Sequence, residues 1–110
     1  MFSGFNAAGN KVLRYTVRIV CAGGRTITVH QQSREADPWP NPDDTVGSTT
    51  FSRAFPAAGV QIVNIYRPLP NTEWGNEEMY QRIRIRVTSS NGVVSAWSGW
   101  DNSGVRSFSN

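Results

Sequence analysis

Polar and apolar residues alternate with a period of two through most of this chain, the pattern of strands with one buried face. In KVLRYTVRIVC (11–21), Leu13, Tyr15, Val17, Ile19 and Cys21 fall on one side, and Arg14, Thr16 and Arg18 on the other. After the turn signal AGG (22–24), RTITVHQ (25–31) alternates again, with Ile27 and Val29 inward and Thr26, Thr28 and His30 outward. The two runs predict a β-hairpin. TTFSRAF (49–55) predicts a short strand with Phe51 and Phe55 on one side, and VQIVNIYR (60–67) a strand covered in part on both faces. MYQRIRIRVTS (79–89) is the clearest strand: Ile83, Ile85 and Val87 face one way, Tyr80, Arg82, Arg84 and Arg86 the other. Asn91-Gly92 signals a turn, from which VVSAW (93–97) is expected to return antiparallel.

Between these runs the chain is irregular. SREADPWPNPDDTVGS (33–48) has Pro38, Pro40 and Pro42 on alternate positions, which blocks both helix and ladder and holds Trp39 among them. PLPNTEWGNEE (68–78) carries Trp74. No window shows a helical stripe. Six to seven strands joined by turns predict an all-β fold, an antiparallel β-sandwich rather than a barrel. Residues 1–10 show no strand pattern and predict a flexible N-terminal arm, with Phe2 and Phe5 as rings that dock on a partner. The sandwich domain is placed at 11–101 and a polar tail at 102–110.

A length of 110 residues with 38% apolar content suits one domain with a modest core. The first residues carry neither a basic nor an apolar leader region, so the chain is expected to be made in the cytoplasm without secretion. Cys21 is the single cysteine, so no intrachain disulfide is expected, and its side of the strand predicts a buried, inert thiol.

The net charge is +3, and Lys11 is the single lysine among 11 basic residues. That bias favours the planar guanidinium, which stacks and pairs in fixed geometry. It draws attention to YQRIRIRVTSSNGVVSAWSGW (80–100), where an arginine-bearing strand meets an Asn-Gly turn and two tryptophans three residues apart.

This segment resembles the last hairpin of fibronectin type III domains, and WSGW (97–100) the Trp-Ser-x-Trp-Ser element of cytokine-receptor modules of that family. The resemblance covers about residues 79–101. It implies an immunoglobulin/fibronectin type III-like sandwich. It also implies a polyproline II turn whose three-residue repeat puts Trp97 and Trp100 on one face. Arg82, Arg84 and Arg86 would then slot between the indoles as a structural Arg–Trp ladder.

Other candidate chemistry is weaker. His30 is the single histidine, read as a solvated strand residue, and no nucleophile elbow, phosphate loop or zinc spacing occurs. Asp37, Asp43 and Asp44 fit turn formation better than calcium. Glu73, Glu77 and Glu78 lack a carboxylate placed across a cleft. The basic RIRIR row invites a nucleic-acid reading, but a ladder would use the same arginines. No catalysis, metal or cofactor is expected.

The expected function is a non-enzymatic structural or binding module. By fold-level analogy it is a tailed-bacteriophage virion protein, a capsid decoration or tail component contacting capsid or tail proteins. The alternative is a carbohydrate-binding or adhesive module using Trp39 and Trp74. A homo-oligomer, with a trimer preferred, is expected from the surplus of apolar residues at Phe51, Phe55, Val60 and Tyr66.

Overall fold

The computed structural model describes residues 2–5, 11–37, 42–69 and 76–109. Its elements are β1 (Phe2–Phe5), β2 (Lys11–Cys21), β3 (Arg25–Glu35), β4 (Asp44–Phe55), β5 (Gly59–Pro68), β6 (Asn76–Thr88), β7 (Asp101–Asn102) and β8 (Arg106–Ser109). They form two antiparallel sheets. One has the order β1-β2-β5; the other runs β4-β3-β6-β7, with β8 also on β6. This is the expected all-β, antiparallel β-sandwich.

The alternation of β2 holds throughout: Leu13, Tyr15, Val17 and Ile19 are buried, and Thr16, Arg18 and Val20 are exposed. Those four pack with Ile27 and Val29 of β3, Phe55 of β4, Ile65 of β5 and Met79 of β6 as the core between the sheets. Phe51, Val63, Ile83, Ile85, Val87 and Phe108 close it from the sides, together with Cys21. Each fully buried aliphatic side chain contributes about 1.5–3 kcal/mol by leaving water.

Several expectations change: residues 33–35 and 44–48 of the expected irregular stretch lie in β3 and β4, the outer row of β5 is exposed rather than partly covered, and four further changes concern pairing and packing. First, the segments 11–21 and 25–31 are strands but not a hairpin. β2 pairs β1 and β5, whereas β3 pairs β4 and β6. The 22–24 turn carries the chain from one sheet to the other, tied by Gly24 N–H to Phe55 O at 2.7 Å. A local turn signal specifies reversal, but the two apolar rows satisfy each other better face to face than side by side. Second, Phe2–Phe5 pair with β2, Phe2 opposite Arg14 and Phe5 opposite Lys11, so four residues of the expected free arm are part of a sheet. Third, the expected polar tail returns as β8, pairing with Asn76–Met79, and Phe108 packs on the core. Fourth, Phe55 is a core residue and Phe51 packs against the core; of the four residues expected at an oligomer interface only Val60 and Tyr66 are exposed.

The strand β6 turns at residues 89–92, where Gly92 has φ +85°, a conformation that disfavours any other residue. Beyond one bridge, Thr88 to Val94, the returning chain is not a ladder strand until Asp101. It nevertheless runs beside β6, and the candidate site lies there.

Candidate functional site: an arginine–tryptophan ladder

The returning segment is fastened to β6 by serines. Ser95 N–H donates to Val87 O at 2.8 Å, and Ser98 N–H to Ile85 O at 2.7 Å. The hydroxyl oxygens of the same serines accept from Val87 N–H and Ile85 N–H, both at 2.9 Å. Ser103 repeats the arrangement on Gln81, donating at 2.8 Å and accepting at 2.9 Å. Asp101 pairs with Ile83 between them as part of β7. Each serine hydroxyl replaces the carbonyl a regular strand would supply. The segment therefore advances three residues while β6 advances two, and every backbone N–H from Gln81 to Val87 that faces it is matched.

That period places Trp97 and Trp100 on the same side. The order of the stack is Arg82, Trp100, Arg84, Trp97, Arg86. Arg82 Cζ lies 4.2 Å from the centre of the Trp100 ring. Arg84 Cζ is 4.8 Å from both indoles, and Arg86 Cζ is 4.8 Å from Trp97. Each contact is within cation–π range, worth about 0.5–1 kcal/mol exposed and about 2 kcal/mol when shielded from water. Trp97 is partly buried and Trp100 is 36% exposed, so the stack is half sheltered.

The arginines are also held from the opposite strand. The register sets Gln32 against Arg82, His30 against Arg84 and Thr28 against Arg86. Arg82 Nε donates to Gln32 Oε1 at 2.7 Å and Arg84 Nε to His30 Nδ1 at 3.0 Å. His30 is thus not a solvated residue. Its ring tilts against Trp97 and Trp100 at centroid distances of 6.1 and 5.2 Å, and its Nε2 contacts Ser48 Oγ at 2.8 Å. With Nδ1 accepting from Arg84, the neutral ring carries its proton on Nε2 and donates to Ser48. Partial burial, then the Arg84 and Arg82 guanidiniums, pull the His30 pKa below its ordinary value.

The sign of the resulting pH dependence follows. Because the folded pKa lies below the unfolded value of 6.5, the stabilisation is complete above pH 6.5 and is lost as pH falls through the folded pKa. The parent should lose thermal stability between pH 7 and pH 5 and His30→Gln should lose less, by melting curves in matched buffers. Equal losses would exclude His30 as the titrating group.

At the end of the same outward row, Tyr80 Oη donates to Asp43 Oδ2 at 2.6 Å and receives Arg34 Nε at 3.4 Å. Asp43 Oδ1 accepts Asp37 N–H at 3.0 Å. The Tyr80 bond, followed by the backbone bond, holds the Asp43 carboxyl below its ordinary pKa. Among the described residues no group of three His, Cys, Asp or Glu is placed to hold a metal.

A second polar cluster sits inside the sandwich. The inward row of β3 changes from Ile27 and Val29 to Gln31, Ser33 and Glu35, all buried. Arg67 of β5 reaches into it. Its Nε donates to Ser33 Oγ at 2.8 Å, and its Nη2 to Gln31 Oε1 at 3.1 Å and Thr49 Oγ1 at 2.6 Å. Gln31 Nε2 lies 3.2 Å from Gln81 Oε1, whose amide donates to Thr16 O at 2.9 Å. Tyr15 is buried above the cluster; desolvation raises its pKa against the opposing effects of Ser33 and Arg67. A Cβ on Gly47 would lie 2.5 Å from Arg67 Nη1, so the arginine crosses β4 where there is no side chain.

Of the residues singled out in the sequence, Arg82, Arg84, Arg86, Trp97 and Trp100 come together. Trp39 and Trp74 lie outside the described residues, as does Glu73; Glu77 is buried and Glu78 exposed. The ladder's supports, Ser95, Ser98, Ser103, Gln32 and His30, were missed. The three-residue serine spacing and the outward parity of His30 and Gln32 were the available signals. No protein-family model matches the chain, and no curated protein or solved structure is similar to it at a significant level.

Proposed function

We propose that this chain is a non-enzymatic β-sandwich module that acts by protein–protein contact, as a structural protein of a tailed-bacteriophage particle in capsid decoration or in the tail. The observation that carries the non-enzymatic part is the ladder. The residues with the most chemical potential, three arginines, two tryptophans and the single histidine, are bound to one another. They brace β6 against the segment after it. A stiff scaffold with its reactive groups so engaged is suited to presenting a surface.

That surface is the outer face of the three-stranded sheet, where Val20, Ile62 and Tyr66 are 63%, 62% and 61% exposed and Val60 lies beside them. An apolar row this exposed on a small soluble domain marks a contact site. The placement in a virion rests on fold-level analogy with the fibronectin-like modules of phage particles. In this reading the chain is made in the host cytoplasm and ends in the particle, and it needs no cofactor.

Mass spectrometry of purified particles from the source that encodes the chain tests the proposal. The chain should be recovered with the major capsid or tail proteins at a stoichiometric ratio. Its absence from particles while abundant in the lysate contradicts the proposal.

A further inference from the structure

We infer that β5 is a self-pairing edge: two copies of this chain join β5 to β5 about a two-fold axis at Asn64, making one continuous six-stranded sheet. The inference rests on the reading of this sheet as a contact surface and names the occupant of its β5 edge; the outer face of the joined sheet stays open for other contacts.

The sheets have two long edge strands, β4 and β5. Among the described residues each pairs on one side only, β4 with β3 and β5 with β2. They differ in what they present. The outward row of β4 is Ser48, Thr50 and Ser52, and Ser48 and Ser52 already bond to His30 and Thr28. The outward row of β5 is Val60, Ile62, Asn64 and Tyr66, all exposed. A long edge without lysine or interior proline is a template for another strand, and natural proteins leave one open chiefly where something pairs with it.

The pattern of β5 selects a second copy as the occupant. Place Asn64 opposite Asn64 of an antiparallel copy. Ile62 then faces Tyr66 of the second copy and Tyr66 faces its Ile62, an aromatic–β-branched pair on each side of the axis. On the inward row Val63 faces Ile65 and Gln61 faces Arg67. No charge meets a like charge, because Arg67 is the only charged residue of β5. Moving the axis by one residue to Val63 sets Ile62 against Asn64 and Gln61 against Ile65, so the register is specified by the side chains. The nearest outward arginines, Arg14 and Arg18, sit on β2 opposite Tyr66 and Ile62. With Ile62 facing Tyr66 across the seam, Arg18 of one copy lines up with Arg14 of the other, three strand spacings away, about 14 Å, beyond the Debye length at physiological salt.

This pairing closes as a dimer and does not generate a trimer, since a two-fold contact uses the same strand on both copies. Sedimentation of the full chain over about 1 µM to about 1 mM should show a mass of twice 12.2 kDa at the upper end. Ile62→Lys and Asn64→Lys should each weaken the dimer tenfold or more with unchanged far-UV circular dichroism. Val93→Lys, which alters an equally exposed residue elsewhere, should leave it unchanged. In a Cys21→Ser background, Asn64→Cys should oxidise to a disulfide-linked dimer, because directly opposed antiparallel residues lie within disulfide reach. A monomer at every concentration, a trimer, or a dimer indifferent to both lysine variants would overturn the pairing. None of these outcomes would alter whether the chain is found in particles, which the particle measurement decides separately.

Discussion

Arg67→Ala should destabilise the domain by about 3 kcal/mol, the largest single-residue effect expected of any side chain that is not part of the apolar core. The guanidinium donates three hydrogen bonds, to Ser33, Gln31 and Thr49. Ser33 and Gln31 are fully buried, so water cannot replace the lost donor where they sit. Removing the arginine leaves those acceptors in a low-dielectric interior and opens a gap beside Gly47. Arg67→Met fills most of the gap and restores none of the bonds, so it should fall between parent and Arg67→Ala. Urea unfolding with unchanged slope measures all three. A loss below about 1 kcal/mol for Arg67→Ala would mean that the cluster is solvated in solution.

Trp97→Ala comes next, at about 2–3 kcal/mol. Trp97 is the inner rung, touching Arg84, Arg86 and His30, and is less exposed than Trp100. Its loss frees two guanidiniums on one side each and removes packing from His30. Because the serine bonds of the returning segment do not involve the indole, the backbone path should persist. Hydrogen exchange should therefore keep the Ile85 and Val87 amides protected in Trp97→Ala while the melting point falls. Loss of that protection together with stability would mean that the indole, not the serines, holds the segment.

How much of this was legible in the sequence varies with the range of the interaction responsible. The alternation in 11–21 and 79–89 specified the buried faces of β2 and β6, because burial on one face imposes a period of two locally. The ladder was legible because its two halves lie close together along the chain, joined by a tight turn that brings Arg82 to Arg86 beside Trp97 and Trp100. The pairing of β2 with β5 rather than β3 was not legible. It is decided by contacts between residues more than forty apart, such as Tyr15 opposite Ile65, on which the 22–24 turn is silent. β1 was missed for a similar reason. FSGF has no alternation of its own and is a strand only because β2 offers it a partner edge. The polar interior was missed because Ser33 and Glu35 read as the start of the irregular segment 33–48, whereas β3 runs on to Glu35 and Arg67 makes the burial of Gln31 and Ser33 tolerable from another sheet.

The central claim is that the arginines and tryptophans after the last turn stabilise each other as one stack. A double-mutant cycle between Arg84 and Trp97 tests it most directly, since Arg84 Cζ lies 4.8 Å from the ring and no backbone bond is shared. Arg84→Ala alone should cost about 1 kcal/mol or somewhat more, and Arg84→Lys should recover part of it. In the cycle, the double variant should be less destabilised than the sum of the single ones by about 1 kcal/mol. Additive losses, with a coupling indistinguishable from zero, would contradict the ladder.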